Sequence, residues 1–328
     1  MFRRLLVGAV LAVGLAAPAR AADVDALLPA ETESVLFVNV RQVLESELVK
    51  KYALGPIKQA LEGNDAKKML EKLGLDPLKD VDRVTAGSWG KGKEDMNAVF
   101  IIRGKFDPVK LFKAAQEEAK KDGDKIAIVE DGKYKLVKFT VENSPKPIFA
   151  AVADEKTIVA ATDKKLVTET LAEAEKGAKP QLKKELAELL KKQDEKASLF
   201  AVGLTEGKTG DVQIPPGLPG VDPAKLQKQL QNLKTFAMTV RLTKDVSLEV
   251  AMGMKDADAA DDFGATVDGL LTTVKGFLPV VAGQNANAKP LIDEINKTLK
   301  SKVKEKDVTV SLSLSADAIG KATGGADD

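Results

Sequence analysis

Cysteine and histidine are both missing from this chain of 328 residues. Without thiols the protein has neither disulfides nor a thiolate nucleophile, and without imidazole it lacks the commonest general base and metal ligand. Aromatic residues make up only 4% of the chain, and Trp89 is the single tryptophan. From these absences, and because no spacing singles out a pair of reactive side chains, we predict no cofactor, no metal site and no catalytic residue.

A hydrophobic run long enough to span a membrane is also missing. The apolar run of residues 5–17 is too short for a spanning helix, which needs ~20 residues. It follows Arg3 and Arg4 and precedes a small-x-small pattern that ends at Ala21, which is typical of a secretory signal peptide. We predict that residues 1–21 are cleaved off before Ala22. The protein is then exported, to the periplasm or outside the cell, with no membrane span after cleavage.

Neither sign of charge is in excess, because 50 lysines and arginines stand against 49 acids. Nearly all positive charge behind the predicted cleavage site is lysine, whereas forked recognition of phosphate favours arginine. A balanced surface of this kind has no electrostatic footprint for nucleic acid. We therefore expect no nucleic-acid partner.

The order of apolar patterns predicts two halves, residues 22–178 and 179–322, followed by a disordered tail over 323–328. Each half reads as strand, helix, two strands, helix and strand. This order predicts an α+β fold of antiparallel sheets with helices on one face, built from two ferredoxin-like split βαβ halves. The similar stretches Gly74-Leu75-Asp76-Pro77 and Gly220-Val221-Asp222-Pro223 favour an internal duplication.

Local signals locate several elements. Asp107 before Pro108 predicts a helix start, and Asp131-Gly132 predicts a hairpin turn. The helix behind Pro108 should turn Val109, Phe112 and Ala115 inward. Two more helices are predicted, one over 43–73 with a break at Gly55-Pro56, and one whose apolar face runs over 292–303.

Two segments resemble phosphate-binding loops. Residues 87–93 (GSWGKGK) have the right spacing, but Glu94 stands where a magnesium-binding Ser or Thr is required, and a strand follows instead of a helix. Residues 203–209 (GLTEGKT) have one residue too few between the glycines. We favour a structural interpretation for both, and a flexible hairpin tip for the first.

Three residues are candidates for contact with a partner. Trp89 either stacks on a sugar or a partner protein or closes the edge of a sheet, and we favour the second. Asn39 and Arg41, at the end of the first strand, either line a site or cap a helix and pair with an acid, and again we favour the second. An acidic cluster near Asp258 fits the start of a helix better than a calcium loop.

Three segments, residues 39–44, 48–52 and 74–84, are similar to an uncharacterised group of exported bacterial proteins, notably planctomycete ones. The similarity covers roughly the first third of the mature chain. It implies an exported protein with duplicated α+β halves, and it implies neither an activity nor catalytic residues.

We predict a non-enzymatic exported protein that binds another envelope protein, the cell surface, or a small apolar ligand held between sheet and helices. One alternative is a hydrolase or lyase that uses carboxylates or a Ser/Lys pair, which a pocket of convergent side chains with shifted pKa values would favour. A further alternative is a self-associating component of the envelope. The long helix over 258–282 has a broad apolar face, which could form a groove or a dimer seam, although we favour its burial under its own sheet.

Overall fold

The computed structural model describes residues 25–62, 71, 73–90, 95–140, 146–177, 181–205 and 222–323. The predicted signal peptide with its cleavage site at Ala21 and Ala22, the predicted boundary at 178/179, and residues 324–328 of the predicted tail lie outside the described residues.

The first half runs from β1 to α5. Its elements are β1 (Ser34–Val38), α1 (Val40–Glu45), a π-helical turn (Val49–Ala53), α2 (Leu54–Glu62), α3 (Pro77–Asp80), β2 (Val81–Trp89), β3 (Asn97–Gly104), α4 (Pro108–Lys121), β4 (Ile126–Asp131), β5 (Tyr134–Phe139), β6 (Ile148–Asp154), β7 (Thr157–Ala161) and α5 (Lys164–Glu175).

The second half runs from α6 to α10. Its elements are α6 (Lys184–Lys191), β8 (Leu199–Leu204), α7 (Pro223–Leu230), β9 (Leu233–Leu242), β10 (Val246–Met254), α8 (Ala257–Gln284), a 3-10 turn (Ala286–Ala288), α9 (Lys289–Thr298), β11 (Lys300–Lys304), β12 (Asp307–Leu314) and α10 (Ala316–Ala322).

All twelve described strands form one antiparallel sheet in the order β11-β12-β10-β9-β8-β1-β2-β3-β7-β6-β5-β4. The predicted α+β class with antiparallel pairing is therefore confirmed. The two halves share this one sheet because β1 pairs with β8. The ferredoxin-like order is not confirmed. A split βαβ unit places an antiparallel strand between two parallel ones, whereas here β1 pairs directly with β2.

Helices lie on both faces of the sheet, which corrects the expectation of a single helical face. We call the side of Ile101 face A and the side of Ile102 face B, because adjacent strand residues point to opposite sides. On face A, α5 and α6 insert Val167 and Leu186 into the main core, which includes Ile101. On face B, α3 and α4 lie over Ile102.

The second half is covered on face B by α7 and α8. Leu226 of α7 and Phe263 of α8 form a separate core with Met252 and Val308. Residues paired directly across neighbouring strands lie on the same face of the sheet. The pairs that lead from Ile102 to β10 and β12 therefore show that Met252 and Val308 lie on face B. The sheet therefore has a main core on face A that both halves share and a smaller core on face B of the second half.

Helix starts follow the local signals. Asp76, Asp107, Asp163 and Asp222 each accept a hydrogen bond from a backbone N–H of the first turn, and three of them precede a proline. Such capping satisfies donors that have no partner within the helix. The β4–β5 hairpin turns at Gly132, with φ 59°, as predicted.

Two predicted elements differ from the structure. The break at Gly55-Pro56 is absent, because the π-helical turn leads directly into α2 and leaves Pro56 in the first turn, where proline is tolerated. Val303 lies in strand β11 opposite Val308 and not in a helix. The alternation of lysines with Ser301 and Val303 has a period of two, which favours a strand.

Candidate functional site

The most distinctive site is an open cavity of about 690 Å³ on face B of the first half, which we call the apolar groove. Its floor is formed by β2, β3, β7, β6 and β5, and its roof by α3, α4 and the residues before α3. Apart from Lys135, every described side chain that lines it is apolar: Val40, Leu73, Leu75, Pro77, Leu78, Val81, Val84, Ile102, Pro108, Leu111, Phe112, Ala115, Val137, Phe139, Ile148, Ala150, Ala151, Val152, Ile158 and Ala160.

The floor residues reach the groove through the two-residue period of the strands. On β5, Lys135, Val137 and Phe139 alternate with Leu136, which is fully buried in the main core on the other face. On β6, Ala150 lies opposite Val137 and also opposite Ala160 of β7. These strands therefore carry apolar residues on both faces, with one side packed in the main core and the other facing the groove.

The roof is held by the capped helix starts. Asp76 accepts a hydrogen bond from the Leu78 N–H at 3.0 Å, and Asp107 accepts one from the Lys110 N–H at 2.9 Å. Helix α4 turns Leu111, Phe112 and Ala115 to the groove, whereas Val109, predicted to face inward, is 79% exposed. The stripe that faces the groove therefore begins at Pro108 and continues at Leu111, and Val109 lies outside it.

Side chains of the groove floor stay only half-buried although their strands lie inside the sheet. Examples are Val84, Ile102, Val137, Phe139 and Ile158. On the same face of the second half, Met254 is 1% exposed, Phe263 4% and Val308 0%, so a buried core forms there. Further along these strands, Leu248, Val250 and Leu312 are half-buried. The covering helix there, α8, has 28 residues, whereas α4 has 14. Among the described residues, face B thus has a small buried core in the second half and an open groove in the first.

Lys135 is the only charged side chain among the described lining residues. It is exposed and lies near the hairpin end of β5. Glu130 is its register partner on β4, yet within the described ranges Lys135 forms no ion pair. The groove therefore combines an apolar wall with one positive charge at its edge.

The structure places Asn39 and Arg41 at the start of α1, where neither lines the groove although Val40 between them does. Asn39 Oδ1 accepts a hydrogen bond from the Gln42 N–H at 3.1 Å, so its side chain caps the helix. The Arg41 guanidinium donates to Asp82 Oδ1 at 2.7 Å and to the Lys79 carbonyl at 3.0 Å. The hydrogen bond to Asp82 raises the pKa of Arg41. The cap and the ion pair of the preferred structural interpretation are both present, and contact of the two residues with a partner stays a prediction.

Trp89 ends β2 opposite Asn97 of β3. Its half-buried ring packs against the main core and also lines a second cavity of about 650 Å³, on face A, whose other lining residues include Leu28, Leu166, Glu169 and Gln181. Because β2 lies between β1 and β3, Trp89 is at the end of an inner strand and not on an edge strand. Its edge-closing role and its contact with a partner both stay predictions.

The glycine-rich segments are parts of strands where the structure describes them. Residues 87–89 belong to β2, which continues after the loop into β3 and not into a helix. Gly203 lies in β8, where an added Cβ would come within 2.6 Å of the Phe236 ring. Residues 91–94 and 206–209, which would complete the two phosphate loops, lie outside the described residues.

The acidic cluster lies at the start of α8. Asp256 accepts a hydrogen bond from the Ala259 N–H at 2.8 Å, as a helix cap does. Within the described ranges, no group of three or more acidic side chains is arranged to hold a metal ion. A search of the same residues finds no helix with the length and apolarity needed to cross a membrane.

Carboxylates with shifted pKa values lie at surface contacts. The Thr168 hydroxyl lowers the pKa of Asp131, the Lys133 ammonium lowers that of Glu175, and the Lys191 ammonium lowers that of Glu188. None of the three lines the apolar groove. These shifts follow from ordinary hydrogen bonds and ion pairs on the described surface.

The long helix α8 is only partly covered. Phe263 and Val267 pack in the core, whereas Val274 is 45% exposed, Phe277 53% and Val280 59%. The predicted inward face therefore holds for the first half of the helix. Beyond it, the apolar stripe faces solvent.

No protein-family model, curated protein sequence or solved structure matches this chain. The site is therefore interpreted from its own residues. Sequence patterns alone do not mark the groove-lining residues as a site. One signal was present, because β6 and β7 are apolar at successive positions, which is typical of strands covered on both faces.

Proposed function

We propose that this is an exported binding protein that holds a small apolar ligand in the apolar groove. The observation that carries the proposal is the cavity of about 690 Å³ with apolar walls and a single lysine. Small-molecule sites have volumes of roughly 300–1,000 Å³, with mostly apolar walls and few polar groups. The prediction of export rests on the sequence pattern of residues 1–22 alone. N-terminal sequencing of the secreted protein tests it, and we expect the mature chain to begin at Ala22.

The expected affinity follows from the size of the ligand. Each buried methylene contributes about 0.8 kcal/mol, so a chain of fourteen carbons contributes about 11 kcal/mol. Association costs at least about 4 kcal/mol in lost translational and rotational freedom. The remainder of about 7 kcal/mol corresponds to a Kd of roughly 10 µM.

We also propose that the two halves are repeats of one unit. The strand orders β1-β2-β3-β7-β6 and β8-β9-β10-β12-β11 run outward from the central pair in the same sequence, with the β4–β5 hairpin as an addition to the first half. Asp76-Pro77 and Asp222-Pro223 start the helix before the second strand of each half. On this view the small core under α8 is the counterpart of the apolar groove.

Uptake of the neutral fluorophore N-phenylnaphthylamine tests the proposed site. We expect its emission to rise and shift to the blue on addition of the protein, with saturation at one probe per chain. Ala150→Leu fills the floor of the groove and should weaken this binding at least tenfold. Ala201→Leu adds the same side chain to face B of β8, outside the described groove lining, and should bind as the wild type does.

Two results contradict the proposal. One is the absence of saturable uptake by the wild-type protein. The other is equal weakening by Ala150→Leu and Ala201→Leu, which would indicate binding elsewhere. Thermal unfolding of both variants checks that the added leucine does not disrupt the sheet.

A further inference from the structure

We propose that the ligand of the apolar groove is a single-chain fatty acid in its ionised form, with its carboxylate at Lys135 and its chain along the apolar floor. This inference rests on the proposed function of the groove as a binding site. It adds the chemical class of the ligand and its orientation.

The position of Lys135 indicates a negatively charged head group. A lysine in an apolar wall lays its methylene stem along that wall and keeps its ammonium in water. Lys135 follows this pattern, because it lines the groove and is exposed. No described residue forms an ion pair with it, and its register partner Glu130 leaves the ammonium available.

The shape of the groove indicates a single chain. Its floor crosses five neighbouring strands, β5, β6, β7, β3 and β2, which at the usual strand spacing extends over about 19 Å. Lys135 lies on β5, at one end of this path. Val137, Ala150, Ile158 and Ile102 continue the path without another charge among the described lining residues. One charge at one end of an elongated apolar floor matches an amphiphile with one head group and one tail.

Three probes with the same tail and different head groups test the inference. Dodecanoate, dodecanol and dodecyltrimethylammonium are each used, below their micelle concentrations, to displace N-phenylnaphthylamine from the full mature chain at low ionic strength. Because an exposed ion pair is worth up to about 1 kcal/mol, we expect dodecanoate to bind roughly fivefold more tightly than dodecanol. Dodecyltrimethylammonium should bind most weakly, and added salt should reduce these differences.

Matched variants assign the preference to one side chain. Lys135→Met should lower the affinity for dodecanoate roughly fivefold and leave dodecanol unchanged or slightly stronger. Lys135→Glu should reverse the order and favour dodecyltrimethylammonium. Lys138→Met removes the same charge from the same strand, but from face A, and should keep the wild-type order. Because Lys135 is exposed, its variants should unfold at the wild-type temperature.

The outcomes separate this inference from the proposed function. If wild-type protein binds the three probes equally, the groove is an apolar site without a preference for carboxylates, and the inference fails alone. If none of the probes displaces the fluorophore, or the fluorophore does not bind, the proposed function fails as well. Equal effects of Lys135→Met and Lys138→Met would indicate diffuse surface charge and would overturn the role of Lys135.

Discussion

The junction of the two halves gives the sharpest prediction about stability. Phe37 of β1 and Phe200 of β8 lie opposite each other and stack with ring centroids 4.7 Å apart and an interplanar angle of 12°. Both belong to the main core, with 8% and 2% of their surface exposed. The core and the sheet are continuous through this pair, so we expect the halves to unfold together.

Phe200→Ala tests this coupling. Truncation of a buried phenylalanine costs about 4 kcal/mol. At roughly 2 °C per kcal/mol for a chain of this size, the melting temperature should fall by about 8 °C. With an m-value of about 3 kcal/mol/M, the urea midpoint should fall by roughly 1 M.

The single tryptophan makes the assay selective. Trp89 reports on the first half, whereas the substitution lies in the second, and far-UV circular dichroism reports on the whole chain. We expect the transitions from the two signals to coincide in both proteins and to shift together in the variant. Leu36→Ala, on the same pair of strands but 42% exposed and on the other face, is the control and should cost less than about 1 kcal/mol. A Trp89 transition that stays in place while the dichroism becomes biphasic would refute the coupling.

Four further predictions follow from the surroundings of single residues. The Asp25 side chain is 4% exposed and accepts two hydrogen bonds from Arg103, at 2.8 and 3.1 Å. Asp25→Ala should therefore lower the free energy of unfolding in urea by about 2 kcal/mol. The control Asp124→Ala, at an exposed site, should change it by almost nothing. Gly104→Ala would put a Cβ 1.9 Å from the Asp80 carbonyl oxygen and should destabilise by about 4 kcal/mol or more. In Gly269→Ala, the added Cβ has no neighbour within 4 Å, so the variant should be more stable by about 0.5–1 kcal/mol. The melting temperatures of Gly104→Ala and Gly269→Ala should therefore shift in opposite directions. The Thr168 hydroxyl lowers the pKa of Asp131 below its ordinary 3.8, so this contact stabilises the fold above that pH and less as pH falls through the folded pKa. Thr168→Val should therefore be less stable than the wild type at pH 7. A stability difference that persists unchanged in strong acid would contradict this.

Local elements of the fold were predictable because their causes are local. Asp107 before Pro108 starts a helix wherever the chain needs one, and Gly132 supplies the positive φ of a hairpin turn. The capping and pairing roles of Asn39 and Arg41 follow in the same way from their place between a strand and a helix. Val303 fits both the helical spacing of residues 292–303 and the two-residue period of a strand. The helix prediction was wrong there, because Val303 pairs with Val308 in the sheet.

The apolar groove could not be predicted in this way. Leu111, Val137 and Ile158 come from separate elements, and each alone reads as an ordinary core residue. Whether such residues form a closed core or a cavity depends on how far the covering helix reaches over the strands. Periodicity indicates that a face is apolar, but it does not indicate what covers it.

Composition alone excluded thiol and imidazole chemistry, because the chain has no cysteine and no histidine. Local patterns alone determined the α+β class, the antiparallel hairpins and the capped helix starts, because these depend on residue type and near neighbours. Tertiary structure decided that β1 and β8 join the halves into one sheet, that helices cover both faces, and that an open groove lies under α4 while a small buried core forms under the first part of α8. These outcomes depend on contacts between residues distant in the chain. Strand order and the filling of space between layers are properties of the whole packed molecule, and no segment carries them by itself.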